Sequence, residues 1–453
     1  MKRKNIWAQI TVFILISISC NLFTGKNDSQ FIFPTQKLLF PSRTPGPSST
    51  SGPSPTKDPK NTFSLTATQN PSRINPEDWA PPYWGSPGPT QITPIPKPAT
   101  IISQPTSKTF LLIGSDTLTS SFRTDTLILL NYQPEFKMVT LISIPRDLYL
   151  YIPGWKMQRI NAAYYHGELG YYPGGGSNLL KDTILYNLGI QVDHIAMVNF
   201  DGFKYIVNTV GGLDIPITCP YTDWHVIDPA GDIEDENNWS LHTIGPGVTH
   251  LDGDLALWYA RSRLKSTDFD RSRRQQEVIR ALYSQVIQLN MLSKVPRLYE
   301  NFKVSIFTDM SLVNLLALAP HTLNIRSAQI RSYFIDYKVI NTWISPVGAY
   351  YLVPSSKNAL SEMLKKALSP PDNEELINIG ATLEIWNGTS NPHWGQLAIE
   401  RLNYGGFSAI ENISDSSSYT KTQLIDYTFE QDTGRSKTLL SLLGLSINHL
   451  TTS

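Results

Sequence analysis

The chain has 453 residues, enough for two or three domains with buried cores, and Lys+Arg and Asp+Glu balance at 38 each. Zero net charge argues against a general nucleic-acid binder, which shows a basic excess. Charged residues make up only 17% of the chain, and 16 of its 32 prolines fall between Pro34 and Pro98, so a low-complexity segment is joined to something folded.

Lys2, Arg3 and Lys4 precede an apolar run from Ile10 to Ile18, which ends at Ser19 and Cys20. The run is short for a spanning helix of about 20 apolar residues and fits the h-region of a targeting signal. Residues 1–20 are predicted to be a signal or anchor. Cys20 behind a small residue suits a lipid anchor, and an uncleaved membrane anchor is the alternative. Either places the folded part on the extracytoplasmic face of the cell membrane or in the cell envelope. Residues 21–107, rich in Pro, Ser and Thr, bury too little surface to offset their ordering entropy and are predicted to be an extended tether. The second cysteine, Cys219, lies in an apolar stretch and is predicted to be a buried structural thiol.

Folding signals begin at Thr109. Phe110–Gly114, Thr126–Tyr132 and Val139–Pro145 are short, nearly continuous apolar runs, the pattern of strands covered on both faces. Helical patterns follow at Leu179–Leu188, near Phe200–Val210, and from Arg271 to about Leu292. Strands alternating with helices predict an α/β (α+β) domain over residues 108–350. A linker is expected at 351–377, with a short helical stretch at Leu360–Leu368. A small α/β module follows at 378–447. Its strands are expected at Ala381–Trp386 and Phe407–Ile413, and its helices at Trp394–Leu402 and Ser436–Leu443.

The second and third strands are joined by a turn through Gln133, Pro134 and Glu135, as in an antiparallel hairpin. That pairing makes Asp125 and Arg146 neighbours at one sheet edge. If the first strand packs alongside, Asp116 and Arg123 reach the same edge. Two carboxylates among arginines suit a divalent metal holding a phosphorylated ligand, because magnesium takes carboxylates plus phosphates and arginine grips phosphate with a planar fork. The bland alternative is a surface Arg–Asp network. A second cluster runs from Arg261 to Arg280, with seven basic and three acidic residues. Asp268 or Asp270 can cap its helix, Arg271 and Gln275 share one face, and Ile279, Leu282 and Val286 continue near it. An ordinary amphipathic helix with a solvated basic end is the alternative there. No nucleophile elbow, zinc-protease motif or Walker-type phosphate loop is present. Asp116 and Asp125 could form a glycosidase pair, but arginines hold both ionised, which suits a metal better than a raised-pKa acid.

At these residues the chain resembles the LytR-CpsA-Psr family of bacterial wall-assembly enzymes. The matching segments run in order: Leu111–Asp116, Arg123–Leu130, Ser143–Asp147, Arg159–Tyr164, Val210–Ile215, Leu251–Arg263 and Asp268–Gln276. Leu383–Phe407 is similar to the LytR C-terminal domain. Two features depart from the family pattern: Arg159 stands where lysine is usual, and the segment between Asp116 and Arg123 is short.

The resemblance implies a central mixed β-sheet flanked by helices. It also implies a phosphotransferase that moves a glycopolymer from a polyprenyl-pyrophosphate carrier to a peptidoglycan hydroxyl, forming a phosphodiester. By motif, Asp116 and Asp125 hold magnesium (or manganese). Arg123, Arg146, Arg261, Arg263 and Arg271 clamp the diphosphate with help from Gln275, and Asp268 orients Arg271 or acts as a base. Arg146, Asp268 and Arg271 form the catalytic set, and apolar helical stripes line a tunnel for the lipid tail. The acceptor supplies the attacking hydroxyl, so no protein nucleophile is required. The implied partners are the polyprenyl-pyrophosphate-linked glycan donor, the peptidoglycan acceptor and the membrane, with no nucleic acid. The alternative reading is a non-catalytic binding protein for prenyl phosphates or wall glycans.

Overall fold

The structure is a computed structural model that describes residues 95–453, except 103–105, 117–123, 171, 229, 233, 265, 290–305, 324, 357, 382, 415–418, 420, 428–432 and 453. The expected signal segment with Cys20, most of the tether, and Arg123 lie outside the described residues. The three aliphatic runs form β1 (Lys108–Gly114), β2 (Thr126–Gln133) and β3 (Met138–Ile144). Successive side chains of a strand point to opposite faces, so a continuous apolar run has to be covered twice. Leu127, Leu129, Ile142 and Ile144 enter one core, while Ile128, Tyr132, Val139 and Leu141 enter a second. β2 and β3 form the expected antiparallel hairpin, with Leu127 opposite Ile144 and Gln133 opposite Met138. Gln133 is part of β2 rather than of the turn, because its buried amide donates to Leu368 O at 2.8 Å.

Beyond β3, β4 (Tyr149–Tyr151) and β5 (Met157–Arg159) make a small hairpin, followed by α1 (Ala163–Leu169) and α2 (Gly175–Leu188). Next come β6 (His194–Val198), α3 (Phe200–Thr209) and β7 (Leu213–Ile217). The hairpin of β8 (Tyr221–Val226) and β9 (Trp239–Ile244) precedes β10 (Gly247–Leu251), which pairs with β7. The basic cluster lies on α4 (Gly253–Arg261), α5 (Asp268–Gln288) and the loop between them. β11 (Ile306–Thr308), α6 (Leu312–Thr322) and β12 (Ile330–Phe334) complete the central layer. Its sheet has the order β11-β6-β1-β2-β3-β12 and is mixed, with β6–β1 and β3–β12 parallel and the other pairs antiparallel.

Two boundaries differ from the sequence reading. Pro96 to Ile102, expected in the tether, are pinned on α2: Ala99 N–H donates to Tyr186 O, Ile102 N–H to Gly189 O, and the Tyr186 hydroxyl to Pro96 O. The stretch expected as a linker begins within the hairpin of β13 (Ile340–Ile344) and β14 (Tyr350–Pro354) and continues into α7 (Ala359–Leu368). Leu360, Leu364 and Leu368 of α7 are buried in the first core. After α8 (Asn373–Gly380) the C-terminal module contains β15 (Leu383–Trp386), α9 (Trp394–Tyr404), β16 (Ala409–Asn412), β17 (Leu424–Asp426), α10 (Thr433–Leu443) and β18 (Leu450–Thr452). Leu402, Phe407 and Leu439 form its core. Cys219, expected to be a buried thiol, is half-buried just past β7 and is not free. Among the described residues no helix is long and apolar enough to cross a membrane.

α1 and α2 approach so closely that a Cβ on Gly176 would lie 2.2 Å from Tyr164 O. A backbone atom cannot yield cheaply, so Gly176→Ala is expected to lower stability by about 1–3 kcal/mol, read as a fall in Tm.

Candidate functional site

Hairpin register decides the first half of the site. Leu127 opposite Ile144 brings Asp125, just before β2, to Arg146, just after β3, and Arg146 Nη1 lies 2.5 Å from Asp125 Oδ1. β1 pairs so that Gly114 faces Thr126, and the Asp125 N–H donates to Gly114 O at 3.1 Å. Asp116, two residues beyond β1, therefore stands exposed at the same sheet edge. Asp147 braces the arginine: its Oδ2 is 3.6 Å from Arg146 Nε and its Oδ1 is 3.2 Å from Arg159 Nε. Arg159 also donates to Tyr350 O through Nε and Nη2, at 3.0 and 2.6 Å. Burial alone would lower the Arg146 pKa, but the hydrogen bond and charge of Asp125, with Asp147 and Asp268 adding, raise it overall.

The second half is the start of α5. Thr267 caps the helix: its Oγ1 accepts from Asp270 N–H at 3.2 Å, and Asp270 Oδ2 accepts from Thr267 N–H at 2.9 Å. The cap consumes Asp270 and leaves Asp268, which the sequence also allowed as a cap, for other contacts. Asp268 Oδ1 accepts from Arg263 Nη1 at 2.8 Å and lies 3.6 Å from Arg271 Nη1. One turn further on, Gln275 Nε2 donates to Thr126 Oγ1 at 3.0 Å and to Ala260 O at 3.2 Å, fastening α5 to β2 beside Asp125. Arg271 is only 8% exposed. Burial pushes its guanidinium down to about 10, with Asp268 opposing and Arg263 and Arg146 reinforcing, so it is still fully charged at neutral pH. Nε of both Arg146 and Arg271 is buried without a hydrogen-bond partner. Two such guanidiniums on one wall are prepared for an anion.

Asp125, Arg146, Asp268, Arg271 and Gln275 line one polar slot together with Thr126 and Ser143. Arg263 flanks it through Asp268. The Arg261 guanidinium lies 3.9 Å above the centre of the Phe200 ring. Partial burial lowers its pKa against the pull of Asp125 and Asp116, so both carboxylates act on it. Of the residues expected in the site, Arg123 lies outside the described residues and the others gather here.

The sequence reading did not select Asp147, Thr126 or Arg274. Arg274 is 1% exposed and ties the loop between α4 and α5 together. It donates to Tyr259 O at 2.8 Å, to Ser266 Oγ at 3.2 Å and to Ser262 O, and its Cζ lies 4.2 Å from the Tyr221 ring centre. Its four-residue spacing from the buried Val278 was the available signal.

A metal at this edge would find oxygen donors of the right kind. Among the described residues no group of three or more His, Cys, Asp or Glu gathers, so Asp116 and Asp125 would be the protein's contribution. Two carboxylates, completed by water and phosphate oxygens, is the pattern magnesium favours.

A second, apolar space lies along the same helix. Beyond Gln275 the same helix carries Ile279 and Tyr283, roughly 6 and 12 Å further along its axis at about 1.5 Å per residue. With Phe110, Leu130, Leu141 and Ile330 they line an apolar cavity of about 120 Å³. Leu282 and Val286, expected on that stripe, pack instead with Val278 against Leu213 and Leu251. α5 lies between two cores, and its apolar face is divided between them.

A model described as the LytR_cpsA_psr family matches residues 92–368. The polyisoprenyl-teichoic acid–peptidoglycan teichoic acid transferase TagV of Bacillus subtilis (strain 168) is 28% identical over 54% of this chain and 59% of that protein. TagU of Enterococcus faecalis, with the same activity in its name, is 30% identical over 48% of this chain and 65% of that protein. The chain thus spans less than two thirds of the length of either curated relative. The crystal structure of B. subtilis TagV superposes with a TM-score of 0.46 at 26% identity, covering 59% of this chain and all of that one.

Proposed function

The chain belongs to the LytR_cpsA_psr family, and from that premise we propose that it is a phosphotransferase moving a glycopolymer from a polyprenyl-pyrophosphate carrier to a peptidoglycan hydroxyl. One observation carries this reading: an arginine–carboxylate slot and an apolar cavity lie along the same helix, α5. A ligand with a diphosphate at one end and a hydrocarbon tail at the other matches both halves, whereas a surface Arg–Asp network would need no cavity.

In the reaction, the acceptor hydroxyl oxygen bonds to the phosphorus nearest the glycan. The bridging P–O bond breaks, polyprenyl phosphate leaves, and the hydroxyl proton is lost. A phosphodiester joins glycan to acceptor. Arg146 and Arg271 hold the diphosphate and neutralise the charge that builds on the leaving phosphate. Arg261 and Arg263 extend the grip toward the glycan side. Asp268, shared between Arg263 and Arg271, positions those arginines and is the group nearest to hand as a base. Asp116 and Asp125 would hold magnesium or manganese, which when bound supplies further neutralisation of the phosphate oxygens. The N-terminal segment, by its apolar run, keeps the chain at the extracytoplasmic membrane surface where the donor resides.

The test is release of polyprenyl phosphate from a lipid-linked glycan donor by purified full-length chain, with acceptor glycan and magnesium. Tight donor binding without release would favour the non-catalytic reading. Chelating divalent metal is expected to stop transfer and readdition to restore it. Asp125→Asn is expected to raise the magnesium concentration needed for half-maximal rate about 10-fold or more. An unchanged metal titration would remove Asp125 from that role.

A further inference from the structure

Arg280 is an odd member of the cavity wall, because it is a cation and only 3% exposed. The main domain satisfies part of its guanidinium: Nη1 donates to Ile330 O at 2.8 Å, and Nη2 to Ser327 O and Oγ, each at 3.2 Å. Nε finds no hydrogen bond there. The counter-charge comes from the C-terminal module, where Glu400 Oε1 on α9 lies 3.4 Å from Nε. Tyr404, one turn later on α9, sets its ring centre 5.2 Å from Arg280 Cζ. α9 also packs on the short turn Ser327–Gln329, which links Ile325 to Ile330, and both of those isoleucines line the cavity. The module therefore touches the cavity wall at two points, a charge and a turn.

We propose that the C-terminal module braces the wall of the lipid cavity from behind, with Glu400 the positioning residue that holds Arg280 in place and so sets how the cavity receives a prenyl chain. The inference rests on the lipid reading of that cavity. Its physical basis is that a desolvated cation without its partner does not stay put. Removing one member of a buried pair leaves the other uncompensated, whereas replacing both with apolar groups is tolerated. Freed of Glu400, Arg280 has to seek water, and its methylene stem leaves the cavity wall with it.

The experiment measures binding of geranylgeranyl pyrophosphate and inorganic pyrophosphate to the full chain. Glu400→Gln is expected to weaken the prenylated probe about 10-fold and leave pyrophosphate unchanged. The double variant Arg280→Met with Glu400→Leu is expected to recover the tail-dependent gain. Glu400→Asp keeps the charge but shortens its reach, so it gives an intermediate, tail-specific loss and serves if Glu400→Gln does not fold. Equal weakening of both probes, or no weakening of either, overturns the proposal alone. A wild-type chain that binds pyrophosphate but gains nothing from the tail overturns the lipid reading of the cavity, and this inference with it.

Discussion

Arg146→Ala is expected to lower the transfer rate by about 10²–10³-fold while leaving the fold intact, the scale seen when one charge-stabilising donor is removed from an active site. Arg146 sits where β3 ends, 2.5 Å from Asp125 and backed by Asp147. Its side chain is 26% exposed and that of Asp125 39%, so Asp125 can rehydrate when the arginine is lost, and Tm should move little. Arg146→Lys is not expected to rescue, because one ammonium cannot serve Asp125 and a phosphate oxygen through a planar fork. The decisive comparison is rate against Tm for both variants. Wild-type turnover in either would remove Arg146 from the chemistry.

Arg274→Met carries the second large effect, and it acts on stability first. Arg274 fills a buried space with a cation whose partners are Tyr259 O, Ser262 O and Ser266 Oγ. Among the described residues no carboxylate forms an ion pair with it, and burial lowers its pKa while Tyr221 and Tyr259 oppose the shift. Methionine replaces the stem but leaves those acceptors without donors, at a cost of roughly 3–5 kcal/mol by analogy with broken buried pairs. For a domain of this size that corresponds to a fall in Tm on the order of 6–20 °C. The same loop presents Arg261 and Arg263, so turnover should fall below wild type even at temperatures where the variant is folded. A Tm within about 1 °C of wild type would show that the loop is held by other contacts.

Some of the site was legible because local rules place it. A short turn between two apolar runs implies a hairpin, and a hairpin implies that Asp125 meets Arg146. The spacing of Arg271 and Gln275 implies one helical face, and Gln275 does reach Thr126 at 3.0 Å at the start of β2. The cap of α5 was less legible. Thr267, Asp268 and Asp270 all have capping side chains, and only the folded backbone shows that Thr267 and Asp270 share the task. That choice releases Asp268 to Arg263 and Arg271.

Which arginines lie inside is decided by neighbours distant in the chain. Arg263, Arg271, Arg274 and Arg280 look alike in composition, yet Arg263 is exposed, Arg271 and Arg274 are buried in and beside the polar slot, and Arg280 is buried against a second module. The apolar stripe of α5 is divided for the same reason, since a helix between two cores gives each of them part of one face.

By itself the sequence determined the strands, the hairpin, the helix that carries the grip, and the separation of a proline-rich segment from a folded one. These follow from periodicity and turn chemistry, which act over a few residues. Tertiary structure alone decided that a polar slot and an apolar cavity share α5, which buried cations have partners, and that α7 and the end of the tether belong to the main domain. Those features depend on desolvation, and the water a side chain loses is displaced by residues that can be a hundred positions away.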